Sequence, residues 1–344
     1  MLRTLTINFI LLLMLTLKSI GQEAKTIYLS DYTFSEGKSK IGFIRINNEG
    51  VIQATKITGN EGGLFRINKN NELTIRKAKA AKSWYDVTIV ANTNIGELTR
   101  TFRVVNDQFV KNKVIAHRGA WKNTSSPENS VAALKHAISQ GCEGSEFDVH
   151  LSADSKIFVN HDATIQNIAI EKTPSEALSL IKLSNGEGLP TLEDFLHEGM
   201  TQNKTKLILE LKPSAISKER GIALSHKVLE IVEQFKAQGW VDYISFDYDI
   251  CKEIIKIAPY AKVSYLKGDI APAELAKDKL YGLDYHYSVF KKNPAWIKEA
   301  HQHKLTVNVW TVNTDADMDW LLKEKVDFIT TNEPELLLKK IAKK

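Results

Sequence analysis

The sequence predicts an α/β fold, a (β/α)8 or TIM barrel, with a small N-terminal all-β sandwich domain in front of it. From residue 112 to residue 344, short apolar runs alternate with helical stretches, which is typical of parallel βαβ units. Residues 25–107 show short alternating segments separated by turn residues, a pattern typical of a sandwich. The length of 344 residues also favours two domains.

Residues 1–21 have the pattern of a secretory signal peptide. Arg3 gives a positive start, residues 7–17 are largely apolar, and Ser19 and Gly21 are small residues at the positions that a signal peptidase reads. We therefore expect Gln22 as the mature first residue and an exported protein, periplasmic or extracellular. A membrane anchor is the alternative, but the apolar core is short for a bilayer, so no stable membrane span is expected after cleavage.

The segment 25–107 predicts a β domain. Residues 85–91 alternate, residues 92–96 have turn chemistry, and residues 97–105 resume the strand pattern, while 64–67 and 73–75 form a predicted hairpin. The stretch from 64 to 107 resembles a cadherin-like repeat. The acidic calcium motif expected after 73–75 is replaced by the lysine-rich residues 76–82, so no calcium is expected here. We expect this domain to offer a surface for contact with a glycan or protein.

The barrel prediction for 112–344 depends on the apolar runs that would form its strands. These runs are 114–116, 143–149, 156–160, 207–211, 243–246, 263–266, 283–289, 306–312 and 326–330. Eight or so strand–helix units in about 230 residues fit a (β/α)8 barrel. A doubly wound open sheet is the competing layout, and it is disfavoured because no glycine-rich phosphate loop follows the first run.

Polar residues stand at the carboxyl ends of these runs, where a barrel places its working groups. They are His117, Arg118, Glu146, Asp148, His161, Glu210, Lys212 and Trp310. Cleavage of a phosphodiester needs charge neutralisation, a base and an acid. Three carboxylates suit a hard divalent ion, arginine and lysine suit phosphate oxygens, and histidine carries protons near neutral pH. The set therefore indicates a phosphodiester-cleaving site.

Long motifs then carry a family resemblance. They are His117-Arg118-Gly119-Ala120, Pro127-Glu128-Asn129, Gly141, Glu146-Phe147-Asp148-Val149, Asn160-His161-Asp162, Leu189-Pro190-Thr191-Leu192-Glu193, Leu209-Glu210-Leu211-Lys212, Ser245-Phe246-Asp247, Val309-Trp310-Thr311-Val312-Asn313 and Val326-Asp327-Phe328-Ile329-Thr330. In this order they resemble the glycerophosphodiester phosphodiesterase family over nearly all of 112–344. The resemblance implies a TIM barrel, one divalent cation (Ca²⁺ or Mg²⁺), and hydrolysis of a small-molecule glycerophosphodiester to sn-glycerol 3-phosphate and an alcohol.

Carried over by position, the resemblance makes His117 and His161 the acid–base pair, with the order between them open. The metal ligands would be Glu146, Asp148 and Glu210, and the phosphate would be bound by Arg118 and Lys212. Trp310 is expected to line the substrate pocket or to pack in the rim. Asn332 departs from the family, which more often has aspartate there, and we expect this change to affect substrate fit rather than chemistry.

Other interpretations stay open at this point. Ser125, Pro127 and Glu128 have the pattern of a helix start, so Glu128 is either a cap or a ligand. A lyase that stops at a cyclic phosphate and acts on lysophospholipids, or a non-catalytic binding or adhesion protein, would share the same fold. The net charge of +5 is mild and the lysines form no continuous stripe, so no nucleic-acid partner is expected.

Overall fold

The computed structural model describes residues 26–35, 37–47, 50–76 and 82–342. The signal peptide predicted for residues 1–21 lies outside these ranges. Within them, the helices are all too short or too polar to cross a bilayer.

In the described residues between 27 and 106, eight strands form two four-stranded sheets, ordered β1-β3-β6-β5 and β2-β8-β7-β4. The β2–β8 pair is parallel and the other pairs are antiparallel. The strands are β1 (Ile27–Leu29), β2 (Thr33–Phe34), β3 (Lys40–Ile46), β4 (Ile52–Asn60), β5 (Phe65–Ile67), β6 (Glu72–Ile75), β7 (Trp84–Thr93) and β8 (Gly96–Asn106). Leu29, Ile44 and Leu73 from one sheet share an apolar cluster with Val87 and Phe102 from the other. The alternation seen in the sequence therefore buries one side of each sheet in a common core.

Eight parallel strands close into a barrel, because β9 pairs with both β19 and β10. In chain order they are β9 (Val114–Ala116), β10 (Gly144–Leu151), β14 (Lys206–Leu211), β15 (Val241–Ser245), β16 (Val263–Tyr265), β17 (Gly282–His286), β18 (Thr306–Trp310) and β19 (Phe328–Thr331). A ninth strand, β11 (Ile157–Val159), runs antiparallel to β10, and β12 (Thr164–Ile165) pairs with β13 (Ile168–Ala169). The barrel prediction is confirmed, and closure excludes the open sheet.

Ten α-helices lie in the described residues. They are α1 (Val131–Gln140), α2 (Ser175–Leu178), α3 (Leu192–Gly199), α4 (Lys218–Phe235), α5 (Tyr248–Ile257), α6 (Pro272–Lys277), α7 (Tyr287–Lys292), α8 (Trp296–Gln302), α9 (Asp315–Glu324) and α10 (Pro334–Ile341). The predicted helix start at Ser125 and Glu128 is wrong. Instead Ser130 caps α1, because its side chain accepts a hydrogen bond from the backbone N–H of Ala133.

The N-terminal sheets contact the amino-terminal end of the barrel. Trp84 packs edge-on against Trp240, with ring centroids 5.7 Å apart. Asp86 accepts hydrogen bonds from Arg103 at 2.8 Å and from Lys236 at 2.8 Å. Lys236 ends α4 and Trp240 directly precedes β15, so these contacts lie opposite the carboxyl ends of the strands.

Candidate active site

Three carboxylates meet inside the carboxyl end of the barrel. Glu146 and Asp148 lie two residues apart on β10 and therefore face the same side. The parallel register places Glu210 of β14 opposite Asp148. One oxygen from each side chain lies within 4.8 Å of the other two, and all three side chains are buried. The sequence prediction that these groups come together is thus matched by the geometry.

Burial and repulsion between the carboxylates dominate the electrostatics of Glu146 and Glu210. Burial, followed by the charges of Asp148 and Glu210, raises the pKa of Glu146 well above its usual range. Burial and the charge of Asp148 raise the pKa of Glu210 to about 8. Glu146 Oε1 is buried and has no hydrogen-bond partner among the described residues. An oxygen-only donor set with an unused buried oxygen fits a hard divalent cation.

Lys212 lies inside the cluster rather than beside it. Its Nζ is 2.8 Å from Glu210 Oε1 and 3.2 Å from Asp148 Oδ1. Burial lowers the pKa of Lys212, but the two carboxylates outweigh burial and the net pKa is raised. Glu210 and Lys212, two residues apart in the chain, therefore form an ion pair with each other. Burial likewise opposes ionisation of Asp148, yet Lys212 and a hydrogen bond from Asn129 lower its pKa overall.

The turn after β9 is built to present backbone as well as side chains. Arg118 has φ of 58°, a left-handed conformation that is rare outside glycine and clusters at functional sites. In this conformation its backbone N–H donates to Glu146 Oε2 at 2.8 Å. Gly119 follows with φ of 81°, and a Cβ there would lie 2.7 Å from Cβ of Ala133. Only glycine fits this position, which keeps the turn against α1.

The ring of His117 forms a hydrogen bond with Asn332, a residue near the C-terminus. Its Nδ1 lies 2.7 Å from Oδ1 of Asn332, which follows β19. Because an amide oxygen only accepts, Nδ1 carries the proton and Nε2 keeps its lone pair. Burial and the nearby Arg118 lower the pKa of His117 to about 4. The side chain of Asn332 thus contacts a predicted catalytic residue directly, and the expected effect of Asn332 on substrate fit stays a prediction.

Two neighbouring residues, Glu128 and Asn129, form hydrogen bonds with charged groups of the site. Arg118 Nη1 donates to Glu128 Oε1 at 2.8 Å, and Arg118 Nε lies 3.7 Å from Asp148 Oδ2. Glu128 is thus a partner of the arginine and not a helix cap. Asn129 Nδ2 donates to Asp148 Oδ2 at 2.8 Å. The Pro127-Glu128-Asn129 motif contains both, but nothing in the sequence alone pairs them with Arg118 and Asp148.

His161 follows β11 and lies at the rim. Its Nδ1 is 2.7 Å from Oδ1 of Asp162, and its backbone oxygen accepts a hydrogen bond from Nε2 of His150 at 3.1 Å. No sequence motif indicates a role for His150. Trp310 ends β18, donates from Nε1 to the backbone oxygen of Asp284 at 2.8 Å, and packs edge-on against the ring of Phe246.

These groups surround one opening. A cavity of about 460 Å³, part of it open solvent, is lined by His117, Arg118, Glu146, His161, Glu210 and Trp310 among others. Asp148 contacts the lining residue Arg118, and Lys212 contacts the lining residue Glu210. The structure therefore brings all eight predicted site residues to the carboxyl end of the barrel.

A carboxylate cluster with two histidines at the mouth of a (β/α)8 barrel is the arrangement of a phosphoric diester hydrolase. The model of the glycerophosphoryl diester phosphodiesterase family matches residues 117–336, and the chain belongs to this family. The predicted family, barrel fold and enzyme class are thereby confirmed. The match begins at residue 117, and the cadherin-like resemblance of residues 64–107 stays a prediction.

Individual relatives agree with this assignment. A glycerophosphodiester phosphodiesterase of Caldanaerobacter subterraneus is 30% identical over 249 residues, covering 68% of this chain and 99% of the relative. The crystal structure of a glycerophosphodiester phosphodiesterase from Parabacteroides distasonis is 42% identical with a TM-score of 0.66, covering 68% of this chain and 98% of that chain. A phosphodiesterase structure from Oleispira antarctica, in complex with the product sn-glycerol-3-phosphate, is 25% identical with a TM-score of 0.59, covering 67% and 97%.

Proposed function

We propose that this enzyme hydrolyses glycerophosphodiesters to sn-glycerol 3-phosphate and an alcohol, and that it needs one divalent cation, Ca²⁺ or Mg²⁺. The observation that carries the proposal is the buried cluster of Glu146, Asp148 and Glu210 in the same mouth as His117 and His161. The sn-glycerol-3-phosphate bound to the Oleispira antarctica relative supports the substrate class.

The chain's own charges would bind the phosphodiester. Glu146, Asp148 and Glu210 would hold the cation, which when bound polarises a phosphoryl oxygen. Arg118 would bind another oxygen with its guanidinium, which Glu128 keeps in place. Lys212 adds a positive charge inside the cluster. Trp310 forms an apolar wall of the cavity that suits the carbon atoms of the substrate.

The two histidines would move the protons. His117 is neutral near pH 7 and its Nε2 lone pair is available, so we assign it as the base in the first step. It takes the proton of the glycerol 2-hydroxyl, whose oxygen attacks phosphorus. The bond from phosphorus to the head-group oxygen breaks, and His161 gives that oxygen a proton. The Nδ1 of His161 is bound to Asp162, which leaves Nε2 as the nitrogen that exchanges the proton.

The second step would run the same transfers in reverse. The first step leaves a five-membered cyclic phosphate, a protonated His117 and a deprotonated His161. Water then attacks phosphorus while His161 accepts its proton. The bond from phosphorus to the glycerol 2-oxygen breaks, and His117 returns its proton to that oxygen. Both histidines end in their starting states.

Product analysis tests the proposal. Purified protein is incubated with glycerophosphocholine or with a lysophospholipid, in the presence of Mg²⁺ or Ca²⁺ and after chelation. Release of sn-glycerol 3-phosphate that chelation abolishes is the expected result. An accumulating cyclic phosphate would identify the lyase instead, and absence of turnover with either metal would leave a binding protein and refute the proposal.

Substitution tests the two histidines separately. His117→Ala and His161→Ala should each lower kcat by about 100-fold or more, since a positioned acid or base contributes on that scale. Metal affinity, measured by calorimetry, should stay unchanged because neither residue belongs to the acidic cluster. A near-normal rate in either variant would remove that histidine from the mechanism.

Metal identity and location complete the proposal. Three carboxylates suit either ion, and an exported site favours calcium, so Ca²⁺ should support a higher rate than Mg²⁺ in a titration of the metal-free enzyme.

We also propose export after cleavage before Gln22, on the pattern of residues 1–21. N-terminal sequencing of protein from fractionated cells tests this, and retention in the cytoplasm with Met1 intact would contradict it.

The N-terminal region is proposed as a separate unit, 25–107, joined to the unit 112–344. Two distinct apolar clusters support this division, although Val105 and Phe109 pack with the barrel cluster. A contact role for its surface, with a glycan or a protein, can be tested with a glycan array. Absence of any saturable binding would leave the region as structural support for the barrel.

A further inference from the structure

A buried histidine outside the acid–base pair contacts the loop that carries His161. His150 lies on β10, two residues beyond Asp148, and only 4% of its surface is exposed. Its Nε2 is 3.1 Å from the backbone oxygen of His161. A carbonyl oxygen can only accept, so His150 must donate, which fixes the proton on Nε2.

The other hydrogen bond of His161 among the described residues is local to its own loop. Asp162 bonds the ring, and Asn160 Nδ2 donates to the backbone oxygen of Asp162 at 2.7 Å. The loop is joined to β10 at Asn160, whose backbone N–H donates to the backbone oxygen of Asp148 at 3.0 Å. Beyond that point, His150 supplies the hydrogen bond that ties the His161 backbone itself to the barrel wall.

The choice of histidine at this position is not explained by packing. An imidazole loses hydrogen bonds to water when it is buried, whereas an apolar side chain of similar size does not. His150 lies opposite Phe158 in the β10–β11 pair. Among the described residues, the hydrogen bond of the His150 ring goes to the backbone oxygen of His161, so the polar ring acts on this loop.

We infer that His150 is a positioning residue, which sets the place of the His161 ring relative to the substrate by fixing the His161 backbone to β10. This role depends on the proposed function, in which His161 donates the proton to the leaving alcohol. A shift of about 1 Å in a reacting group can cost about 100-fold in rate. Loss of the hydrogen bond should therefore lower kcat and leave substrate binding by Arg118 largely intact.

A matched pair of variants tests the inference. His150→Gln places an amide donor where the imidazole Nε2 was, whereas His150→Met has similar volume and no donor. With glycerophosphocholine we expect His150→Met to lower kcat by about 10- to 100-fold at nearly constant KM, and His150→Gln to stay within about 3-fold of the parent enzyme. Equal rates for the two variants, whether both high or both low, would overturn the inference.

Two further readouts separate positioning from general destabilisation. A glycerophosphodiester with an aryl leaving group needs less help from an acid, so His150→Met should lose less activity on it than on glycerophosphocholine. The double variant His150→Met/His161→Ala should be no slower than His161→Ala, because a positioning residue acts only through its target. An equal loss on both substrates, or an additive loss in the double variant, would contradict the inference.

The proposed function can fail separately. If His161→Ala keeps a near-normal rate, the acid role of His161 is wrong. Hydrogen exchange of the amides at 160–164 does not depend on turnover, and His150→Met should speed their exchange while His150→Gln does not. Unchanged exchange in His150→Met would overturn the positioning role even in a protein without activity, and faster exchange would support it.

Discussion

Replacing Asn332 by aspartate puts a carboxylate against the ring of His117. The two side chains already meet, with Asn332 Oδ1 2.7 Å from Nδ1. Aspartate has almost the same shape, so the contact and the proton on Nδ1 are kept. What changes is the charge: a carboxylate stabilises the imidazolium, while the amide does not.

The magnitude follows from the present state of His117. Burial and Arg118 hold its pKa at about 4. Two opposite charges about 4 Å apart interact by about 4 kcal/mol at an effective dielectric of 20, an upper limit equal to about 3 pKa units. Adjacent opposite charges usually shift a pKa by about 1–3 units, so Asn332→Asp should bring His117 to about 5–7.

The assay is the pH profile of kcat/KM for glycerophosphocholine at saturating metal. The base works in its neutral form, so activity is lost as the pH falls through the pKa of His117. Raising that pKa moves the acid limb to higher pH by the same amount. Asn332→Leu is the control, because it removes the acceptor without adding charge and should lower kcat without moving the limb upward. An unmoved limb in a folded, metal-binding Asn332→Asp variant would refute the assignment of His117 as the base.

Further predictions concern the metal, the turn and the interface. Glu146→Gln should weaken metal affinity, and activity should partly return at high metal concentration; a metal dependence that does not move contradicts the ligand assignment. Gly119→Ala should cost about 1–3 kcal/mol in unfolding free energy and lower activity, whereas Gly186→Ala, also at positive φ but with open space around it, should cost less. Burial raises the pKa of Asp86, but its partners Arg103 and Lys236 lower that pKa overall. The ionised Asp86 therefore stabilises the folded protein at pH values above the pKa of the unfolded state, and this stabilisation is lost as the pH falls through the pKa of the folded state. Asp86→Asn should therefore lower the free energy of unfolding at pH 7 by roughly 1 kcal/mol, measured as a lower Tm. The difference in Tm between the variant and the parent protein should shrink below about pH 4. An equal difference at both pH values argues against the ion pair.

The barrel and the main site groups could be predicted because their signals are local. An apolar run followed by a polar pair, as at Val114–Ala116 and His117, indicates a strand that ends at a working residue. Glu146 and Asp148 share a face because strand alternation has a period of two. The closed barrel then brings Glu210 to them, since parallel neighbours keep their carboxyl ends together.

The hydrogen-bond partners of these groups could not be predicted from the sequence. His117 and Asn332 are 215 residues apart, and only the pairing of β9 with β19 brings them together. The spacing of Glu128 from Ser125 fits a capping box, yet Ser130, five residues after Ser125, caps α1. His150 carries no motif signal, because its partner is a backbone oxygen and a backbone atom leaves no trace in residue identity.

The attachment of the N-terminal sheets to the amino-terminal end of the barrel, described through Trp84, Trp240 and Asp86, has a consequence for how the enzyme meets its surroundings. The catalytic entrance points away from that end. An enzyme tethered or immobilised through its N-terminal region would leave the entrance unobstructed and turned toward bulk solution. Dissolved glycerophosphodiesters would then reach the site freely, while molecules embedded in the tethering surface would be on the wrong side.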